Sequence, residues 1–102
     1  MPILIHFGKS DRKGKRYILR FVNPKMTIHF GSDVATTFTD GASEQKKNAY
    51  LARHRVNEDW SKINAGSASR FILWGKSGNL ETNLKDYIKR FKIKDNRKFK
   101  KS

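Results

Sequence analysis

The spacing of apolar residues changes near residue 40, and this change constrains the fold of the chain strongly. Before it, apolar and polar residues alternate with the period of two that is typical of a half-buried β-strand. After it, apolar residues recur every three or four positions, as on one face of a helix. Strands followed by helices predict an α+β fold, here a small antiparallel sheet of three to four strands followed by three helices.

The first half contains three alternating runs and one β-branched run. In the first run, Ile3, Ile5 and Phe7 are expected to share one face of a strand. The next two runs lie on either side of a turn at residues 23–25, where asparagine precedes proline, and this pattern predicts a β-hairpin. Residues 34–39 are rich in β-branched side chains and are predicted to form a fourth strand at the sheet edge.

The second half begins with two predicted helices. The first has Ser43 as its N-cap and runs to about Val56, with Ala49 and Ala52 on its apolar stripe. The second covers residues 67–74, which are nearly all apolar, so we expect this helix to be buried.

The third predicted helix has the clearest amphipathic pattern in the chain. Asn79 is its expected N-cap, and apolar residues recur at i, i+4, i+7, i+8 and i+11 from Leu80. The remaining residues are basic and show no periodicity. We therefore expect one α+β domain over residues 1–94 and a flexible basic tail over residues 95–102.

Charge indicates the class of partner. The 102 residues include 23 Lys and Arg against 9 Asp and Glu, a net charge of +14. The excess lies in the first 30 and the last 38 residues, while the charges between them cancel. An uneven positive field of this kind attracts polyanions. The chain has no cysteine, which excludes disulfides and cysteine-based zinc modules.

Membrane and secretory signals are not expected. The apolar runs at residues 3–5 and 71–74 are much shorter than the roughly 20 residues that a membrane-spanning helix needs. The first residues carry neither a basic leader nor a signal-length apolar stretch, so the chain is predicted to act where it is made or to be packaged from there.

Phosphate binding needs only cations that reach a spaced row of anions, and two basic clusters meet that need. The first cluster, between Lys9 and Arg16, lies in the loop before the second predicted strand and in the first residues of that strand. In the other, Lys85, Lys89 and Lys92 have the spacing of one helix stripe. Nothing resembles a reader of base sequence, and DNA is favoured over RNA as the partner. The predicted nucleic-acid-binding residues are Lys9, Arg12, Lys13, Lys15, Arg16, Arg53, Arg55, Lys85, Lys89, Arg90, Lys92 and Lys94.

Other chemistries find less support in the sequence. Residues 8–15 and 75–77 imitate a phosphate-binding loop, but neither has its glycine, lysine and hydroxyl spacing, so nucleotide hydrolysis is rejected. No cofactor, catalytic residue or metal site is predicted. One alternative stays open, a metal-dependent nuclease built around His54, Glu58 and Asp59.

Single histidines and tryptophans have ordinary structural interpretations. His6 and His29 lie on predicted strands without a second ligand at helical spacing, which favours sheet residues over a zinc site. Trp60 and Trp74 have the size and shape of base-stacking platforms, but a core position is favoured for both, most clearly for Trp74 in its apolar run.

Three segments carry a resemblance, namely residues 50–54, 60–74 and 84–91. They read Tyr-x-x-Arg-His, then Trp, then Ala-Gly-Ser-x-Ser-Arg-Phe-Ile-Leu-Trp, then Leu-Lys-Asp-Tyr-x-x-Arg-Phe. The order and composition resemble a family of small basic uncharacterised proteins of nucleocytoplasmic large DNA viruses (giant viruses). The resemblance implies a viral protein of the virion and host cell cytoplasm, without an established enzymatic role.

Together these observations predict a non-enzymatic, sequence-tolerant nucleic-acid-binding protein that aids genome packaging in the virion. The first alternative is a structural or interaction protein of the virion whose basic surface meets acidic proteins. The nuclease is the second alternative. Formation of a homodimer is left open by the sequence.

Overall fold

The computed structural model describes residues 2–97 and contains a four-stranded sheet in the order β3-β2-β1-β4. The strands β1 (Ile3–Lys9), β2 (Lys15–Val22) and β3 (Met26–Ser32) are antiparallel neighbours. β4 (Lys94–Asp95) pairs with β1 in the parallel direction. The α+β prediction is confirmed, although the sheet is mixed and mostly antiparallel.

Residues 34–39 do not form the predicted fourth strand. A single 3₁₀ turn, Phe38–Asp40, occupies the end of this segment. The Asp40 carboxylate accepts hydrogen bonds of 2.9 Å from both the backbone N–H and the hydroxyl of Thr37. These local hydrogen bonds compete with a strand ladder, and here they outweigh the β propensity of the segment.

A bulge changes the predicted face of β1. The pairing register with β2 shifts between Leu4 and His6, so β1 contains an extra residue there. Leu4 is fully buried and Phe7 packs against the core, whereas Ile5 is 37% exposed. The expectation that Ile3, Ile5 and Phe7 share one face is therefore wrong.

The hairpin between β2 and β3 matches the prediction. Met26 pairs with Phe21 across the turn, and Phe30 pairs with Tyr17 near the other end of the ladder. The turn contains a cis peptide bond between Asn23 and Pro24.

Within residues 2–97, three helical segments lie between β3 and β4. They are α1 (Glu44–His54), α2 (Ala65–Ala68), which continues as a π-helical turn (Ser69–Leu73), and α3 (Leu80–Arg90). Across residues 2–97, these helices are too short and too polar for any of them to span a bilayer.

Side-chain caps set the helix starts. The predicted N-caps Ser43 and Asn79 are confirmed, since each accepts a hydrogen bond from a backbone N–H in the first turn of its helix. The second helix begins two residues before its predicted start, because the side chain of Asn64 accepts a hydrogen bond of 2.8 Å from the Ser67 amide.

The predicted apolar stripe of α1 is wrong. Ala49 and Ala52 are exposed, and Val56, which lies beyond the end of the helix, is 77% exposed. The buried residue of α1 is Tyr50, whose ring stacks on Trp74. The contact between Tyr50 and Trp74 buries more area than alanine side chains can, and it therefore sets the orientation of this helix.

The folded domain extends past its predicted end. Asp95 belongs to β4, and its carboxylate accepts a hydrogen bond of 2.9 Å from the guanidinium of Arg97. Arg97 also donates to Glu81 on α3 at 2.9 Å. The predicted flexible tail over residues 95–102 therefore starts too early, and residues 98–102 lie outside the described part of the chain.

The core lies between one face of the sheet and the helices. The sheet contributes Leu4, Leu19, Phe21, Ile28 and Phe30, and the helical half contributes Tyr50, Ala68, Ile72, Leu73, Trp74, Leu84, Tyr87 and Ile93.

Candidate nucleic-acid interface

The first predicted basic cluster is presented on an ordered loop between β1 and β2. The Lys15 amide donates to the Arg12 carbonyl at 3.1 Å, and the Arg12 amide donates to the Ser10 hydroxyl at 2.9 Å. Gly14 has a φ of 84°, which side-chain-bearing residues rarely adopt. The exposed cations of this cluster are Lys9, Arg12, Lys13 and Lys15.

Arg16 is set apart from its neighbours. Its guanidinium donates two hydrogen bonds of 2.6 Å to the Asp40 carboxylate and one of 3.0 Å to the Ala35 carbonyl. The Asp40 hydrogen bonds raise the pKa of Arg16, against the opposing effect of burial. Arg16 therefore anchors the segment after β3, and its charge is compensated within the chain.

An open cleft of about 540 Å³ lies between the segment after β3, α1 and the start of α2. Lys15 from β2 and Lys46 and Arg53 from α1 border it, and Glu58 is the carboxylate in its lining. Three cations around one carboxylate favour an anionic occupant. We call this feature the basic cleft.

The sequence prediction missed Lys46. It lies in the middle third of the chain, where the charges cancel, so no charge cluster marks it. The signal was its spacing, because Lys46 and Arg53 are seven residues apart and residues at that separation share a helix face.

A stack of three rings forms one wall of the basic cleft. The Trp74 and Tyr50 centroids are 4.5 Å apart, and those of Tyr50 and His54 are 4.2 Å apart. Burial raises the pKa of Tyr50 to about 12, so this phenol stays neutral. Trp74 is 5% exposed, which confirms its predicted core position.

His54, Glu58 and Trp60 form a hydrogen-bonded chain beside the stack. One Glu58 oxygen lies 2.8 Å from His54 Nδ1, and the other accepts a hydrogen bond of 2.8 Å from the Trp60 indole N–H. Gly66 gives the carboxylate room, since a Cβ there would lie 3.2 Å from Glu58 Oε1. Both carboxylate oxygens of Glu58 are thus engaged within the fold.

Asp59 does not join this chain. It is fully exposed, and hydrogen bonds from the hydroxyl and the amide of Ser61 lower the pKa of its carboxyl. Within residues 2–97, no three histidine, cysteine or acidic side chains converge in an arrangement that could hold a metal ion. Of the three residues in the nuclease alternative, the structure therefore brings His54 and Glu58 together and leaves Asp59 apart.

The second predicted cluster surrounds a smaller depression of about 300 Å³. Lys85 and Lys89 of α3 border it together with Lys76, and Asp86 is the carboxylate in its lining. We call this feature the α3 depression. Lys76 was missed because it is an isolated cation in sequence, in the loop that precedes the helix.

Asn83 holds the loop that carries Lys76. Its side-chain amide donates to the Ile72 carbonyl at 2.9 Å and to the Ser77 carbonyl at 2.7 Å. Gly75 allows this approach, because a Cβ there would lie 2.7 Å from Cγ of Asn83. A buried polar network therefore sets the position of an exposed lysine.

Lys92, Lys94 and Arg55 are three further predicted cations that border neither the basic cleft nor the α3 depression. Lys92 follows the end of α3 with a φ of 54°, so the predicted stripe of Lys85, Lys89 and Lys92 is wrong at its third member. Lys94 is exposed on β4, and Arg55 is exposed just after α1.

Arg90 of α3 does not border the α3 depression and instead lies over an aromatic ring. Its guanidinium carbon is 4.1 Å from the centroid of the Phe71 ring. Arg70, which the prediction did not include, lies 4.9 Å from the same centroid and 5.3 Å from that of Trp60. Two arginines thus share an aromatic surface.

The ion pairs of the described residues leave most predicted cations uncompensated. Asp40 pairs with Arg16, Glu58 with His54, and Glu81 and Asp95 with Arg97. Of the predicted cations, only Arg16 takes part in an ion pair within residues 2–97. The other predicted cations keep their charge available to a ligand.

Residues 5–54 match a family of unknown function (DUF5754). The matched part runs from β1 to the end of α1 and includes the first basic cluster and the α1 side of the basic cleft. No curated protein and no solved structure matches the chain.

Proposed function

We propose that this protein binds nucleic acid through backbone phosphates, tolerates any base sequence and is not an enzyme. The observation that carries the proposal is that some cations are neutralised by carboxylates within the fold, while the cations around two surface features are not. Arg16 and Arg97 are held by carboxylates in the fold, whereas the cations around the basic cleft and the α3 depression form no ion pair within residues 2–97. Proteins that leave many cations unpaired typically bind partners rich in anions.

The proposed contacts involve phosphates more than bases. The lysines and arginines at both features are exposed ends of long side chains, which suit a flexible row of phosphates. Duplex DNA is the favoured ligand over RNA. The resemblance to giant-virus proteins adds the proposal that the chain aids genome packaging, in the virion and the host cell cytoplasm.

A salt series tests the proposal. If about six phosphates are engaged, log Kd should change with log salt with a slope of roughly 5, which weakens binding about a thousandfold between 50 and 200 mM salt. Gel shifts with duplex DNA, RNA and polyglutamate measure this dependence and the class of partner. A slope below about 2 contradicts phosphate binding, and tighter binding to polyglutamate favours an acidic protein partner.

The hydrogen bond of 2.8 Å between His54 and Glu58 favours one second candidate, a metal-dependent nuclease. A carboxylate can hold an imidazole in the orientation that a general acid or base needs. Incubation of labelled DNA with the protein and Mg²⁺ or Mn²⁺ tests it. Cleavage that chelator abolishes and that His54→Ala removes supports the nuclease, and intact DNA rejects it.

A further inference from the structure

Arg70 and Arg90 approach one aromatic ring from two elements of the fold. Arg70 belongs to the π-helical turn and Arg90 to the last turn of α3. Their guanidinium carbons lie 4.9 Å and 4.1 Å from the Phe71 centroid, so they are separated by no more than the sum of these distances, about 9 Å. One phosphate group has the size to be shared by two guanidinium groups at such a separation.

The position of Arg70 is unfavourable for the fold by itself. Burial, and then the nearby charge of Arg90, lower the pKa of Arg70. Its guanidinium donates one hydrogen bond of 2.9 Å, to the Trp74 carbonyl, while its buried Nε finds no partner among the described residues. A like charge within about 9 Å of a partly desolvated guanidinium group costs stability.

Among residues 2–97, no carboxylate pairs with either arginine to relieve this repulsion. Neither Arg70 nor Arg90 forms an ion pair within residues 2–97. Glu58, which is engaged by His54 and the Trp60 indole, has no oxygen left without a partner. An anion from outside the chain would therefore offset the repulsion between Arg70 and Arg90.

The surface around the two arginines is aromatic. Trp60 and Phe71 are both half-buried, and the hydrogen bond of 2.8 Å to Glu58 fixes the orientation of the Trp60 ring. Partly exposed, immobilised rings beside cations are the features with which proteins bind single strands, because unpaired bases stack on the rings while phosphates meet the cations.

We infer that Arg70, Arg90, Phe71 and Trp60 form a binding site for single-stranded nucleic acid, in which the two guanidinium groups hold one phosphate and the aromatic surface stacks the adjacent base. This inference rests on the proposed nucleic-acid binding and deepens it. A duplex keeps its bases stacked on one another, so it can use the phosphate contact alone. The site therefore predicts that the protein prefers single-stranded nucleic acid over a duplex at this position, a preference that charge alone does not produce.

Binding to a thymidine decamer and to a ten-base-pair duplex tests the site through four matched proteins. These are the wild type, Arg90→Gln, Arg90→Lys and Lys92→Gln. Arg90 and Lys92 are both exposed, so the variants are expected to fold, and circular dichroism checks this. Arg90→Gln and Lys92→Gln each remove one charge, but only Arg90 contacts an aromatic ring in the described structure.

We expect Arg90→Gln to weaken binding of the single strand about tenfold and Lys92→Gln about twofold. The effect of Arg90→Gln on the duplex should be smaller than on the single strand, because the duplex uses the phosphate contact alone. Arg90→Lys should recover less than half of the single-strand loss on a logarithmic scale, because an ammonium group lacks the planar, bidentate geometry. Tryptophan fluorescence gives a second readout. The decamer should quench the wild type, and Trp60→Phe should remove most of the quenching, since Trp74 is only 5% exposed.

The outcomes separate this site from the general proposal. Equal effects of Arg90→Gln and Lys92→Gln on the single strand, or quenching that persists in Trp60→Phe, overturn the site while salt-dependent binding to both DNA forms stands. If the wild type binds neither the decamer nor long duplex DNA at 50 mM salt, the proposed function fails and the site fails with it.

Discussion

The basic cleft and the α3 depression carry the same number of cations but are built differently. The cleft takes Lys15 from β2 and Lys46 and Arg53 from α1, which meet beside a ring stack that is partly buried. The α3 depression takes Lys85 and Lys89 from one helix and adds a lysine of the adjoining loop. One feature depends on the packing of distant segments, and the other mostly on the spacing within a helix.

This difference separates two contributions to binding. If phosphate binding needs charge alone, the two features should contribute alike, because each carries three cations and one carboxylate. If it also needs a preformed surface, the cleft should contribute more, because packing holds its cations in place at a lower ordering cost. The predictions below distinguish these two cases.

The largest expected effect concerns the core beneath the cleft. Leu73 is 1% exposed and lines the cleft from below, and its Cδ1 would lie 2.7 Å from a Cβ placed on Gly31. We expect Leu73→Ala to lower the free energy of unfolding by about 2–5 kcal/mol. Urea titration measures this, and Leu84→Ala, in the buried face of α3, gives the matched loss away from the cleft. An unchanged midpoint for Leu73→Ala contradicts its core position.

The next prediction compares the two features directly. The triple change of Lys15, Lys46 and Arg53 to Gln removes three charges, as does that of Lys76, Lys85 and Lys89. Each should reduce the salt slope by about 2.7 if every cation meets a phosphate. A larger loss of affinity at fixed salt for the cleft variant indicates a preformed surface, and equal losses indicate charge alone. A feature whose variant leaves the slope unchanged does not contact the ligand.

A smaller effect should distinguish compensated from uncompensated arginines. Arg53→Gln removes a cleft cation that is free of ion pairs within residues 2–97, so it should weaken DNA binding about fivefold, near 1 kcal/mol. Arg16→Gln removes a cation already held by Asp40 and should weaken binding less than twofold. Fluorescence anisotropy with labelled duplex DNA measures both. Equal losses show that Asp40 does not withhold the Arg16 charge from the ligand.

The smallest expected effect is the acid dependence of the same ion pair. Burial would raise the pKa of Asp40, but hydrogen bonds from Arg16 and Thr37 outweigh it and lower that pKa overall. A carboxyl with a lowered folded pKa stabilises the fold above its unfolded pKa of about 3.9 and loses this contribution as the pH falls through the folded value. The pair is partly exposed, so the contribution should be about 0.5–1 kcal/mol.

Unfolding measured between pH 7 and pH 2 checks this dependence. Wild type should be more stable than Asp40→Asn at pH 7, and the difference should shrink below pH 4. A difference that stays constant with pH means that the carboxylate charge does not contribute to the stability of the segment after β3.

The sequence predicted those parts of the fold that depend on neighbours in the chain. Alternation on either side of residues 23–25 gave the hairpin, and the caps Ser43 and Asn79 gave two helix starts. Caps and turns form hydrogen bonds within a few residues, so a local pattern is sufficient to identify them. The exposed cations on the β1–β2 loop and on α3 follow from the same local signals.

The sequence could not predict contacts between distant segments. The bulge after Leu4 depends on the pairing of β1 with β2. Asp95 belongs to the sheet because it pairs with Leu4 of β1, about 90 positions earlier in the chain. The bond from Arg16 to Asp40 crosses 24 positions, and no local pattern marks it. Such contacts are decided by which segments pack together, since pairing with a remote partner outweighs the propensity of a short run.

By itself, the sequence determined an α+β domain with an excess of positive charge at its two ends, because periodicity and charge are properties of residues and their near neighbours. Tertiary structure alone decided which cations stay unpaired and where they meet. It assigned Arg16 to Asp40, brought Lys46 and Arg53 to the same cleft as Lys15, and placed Arg70 and Arg90 on one ring. The energy of two charges depends on the distance between them in space, which the order of residues does not give.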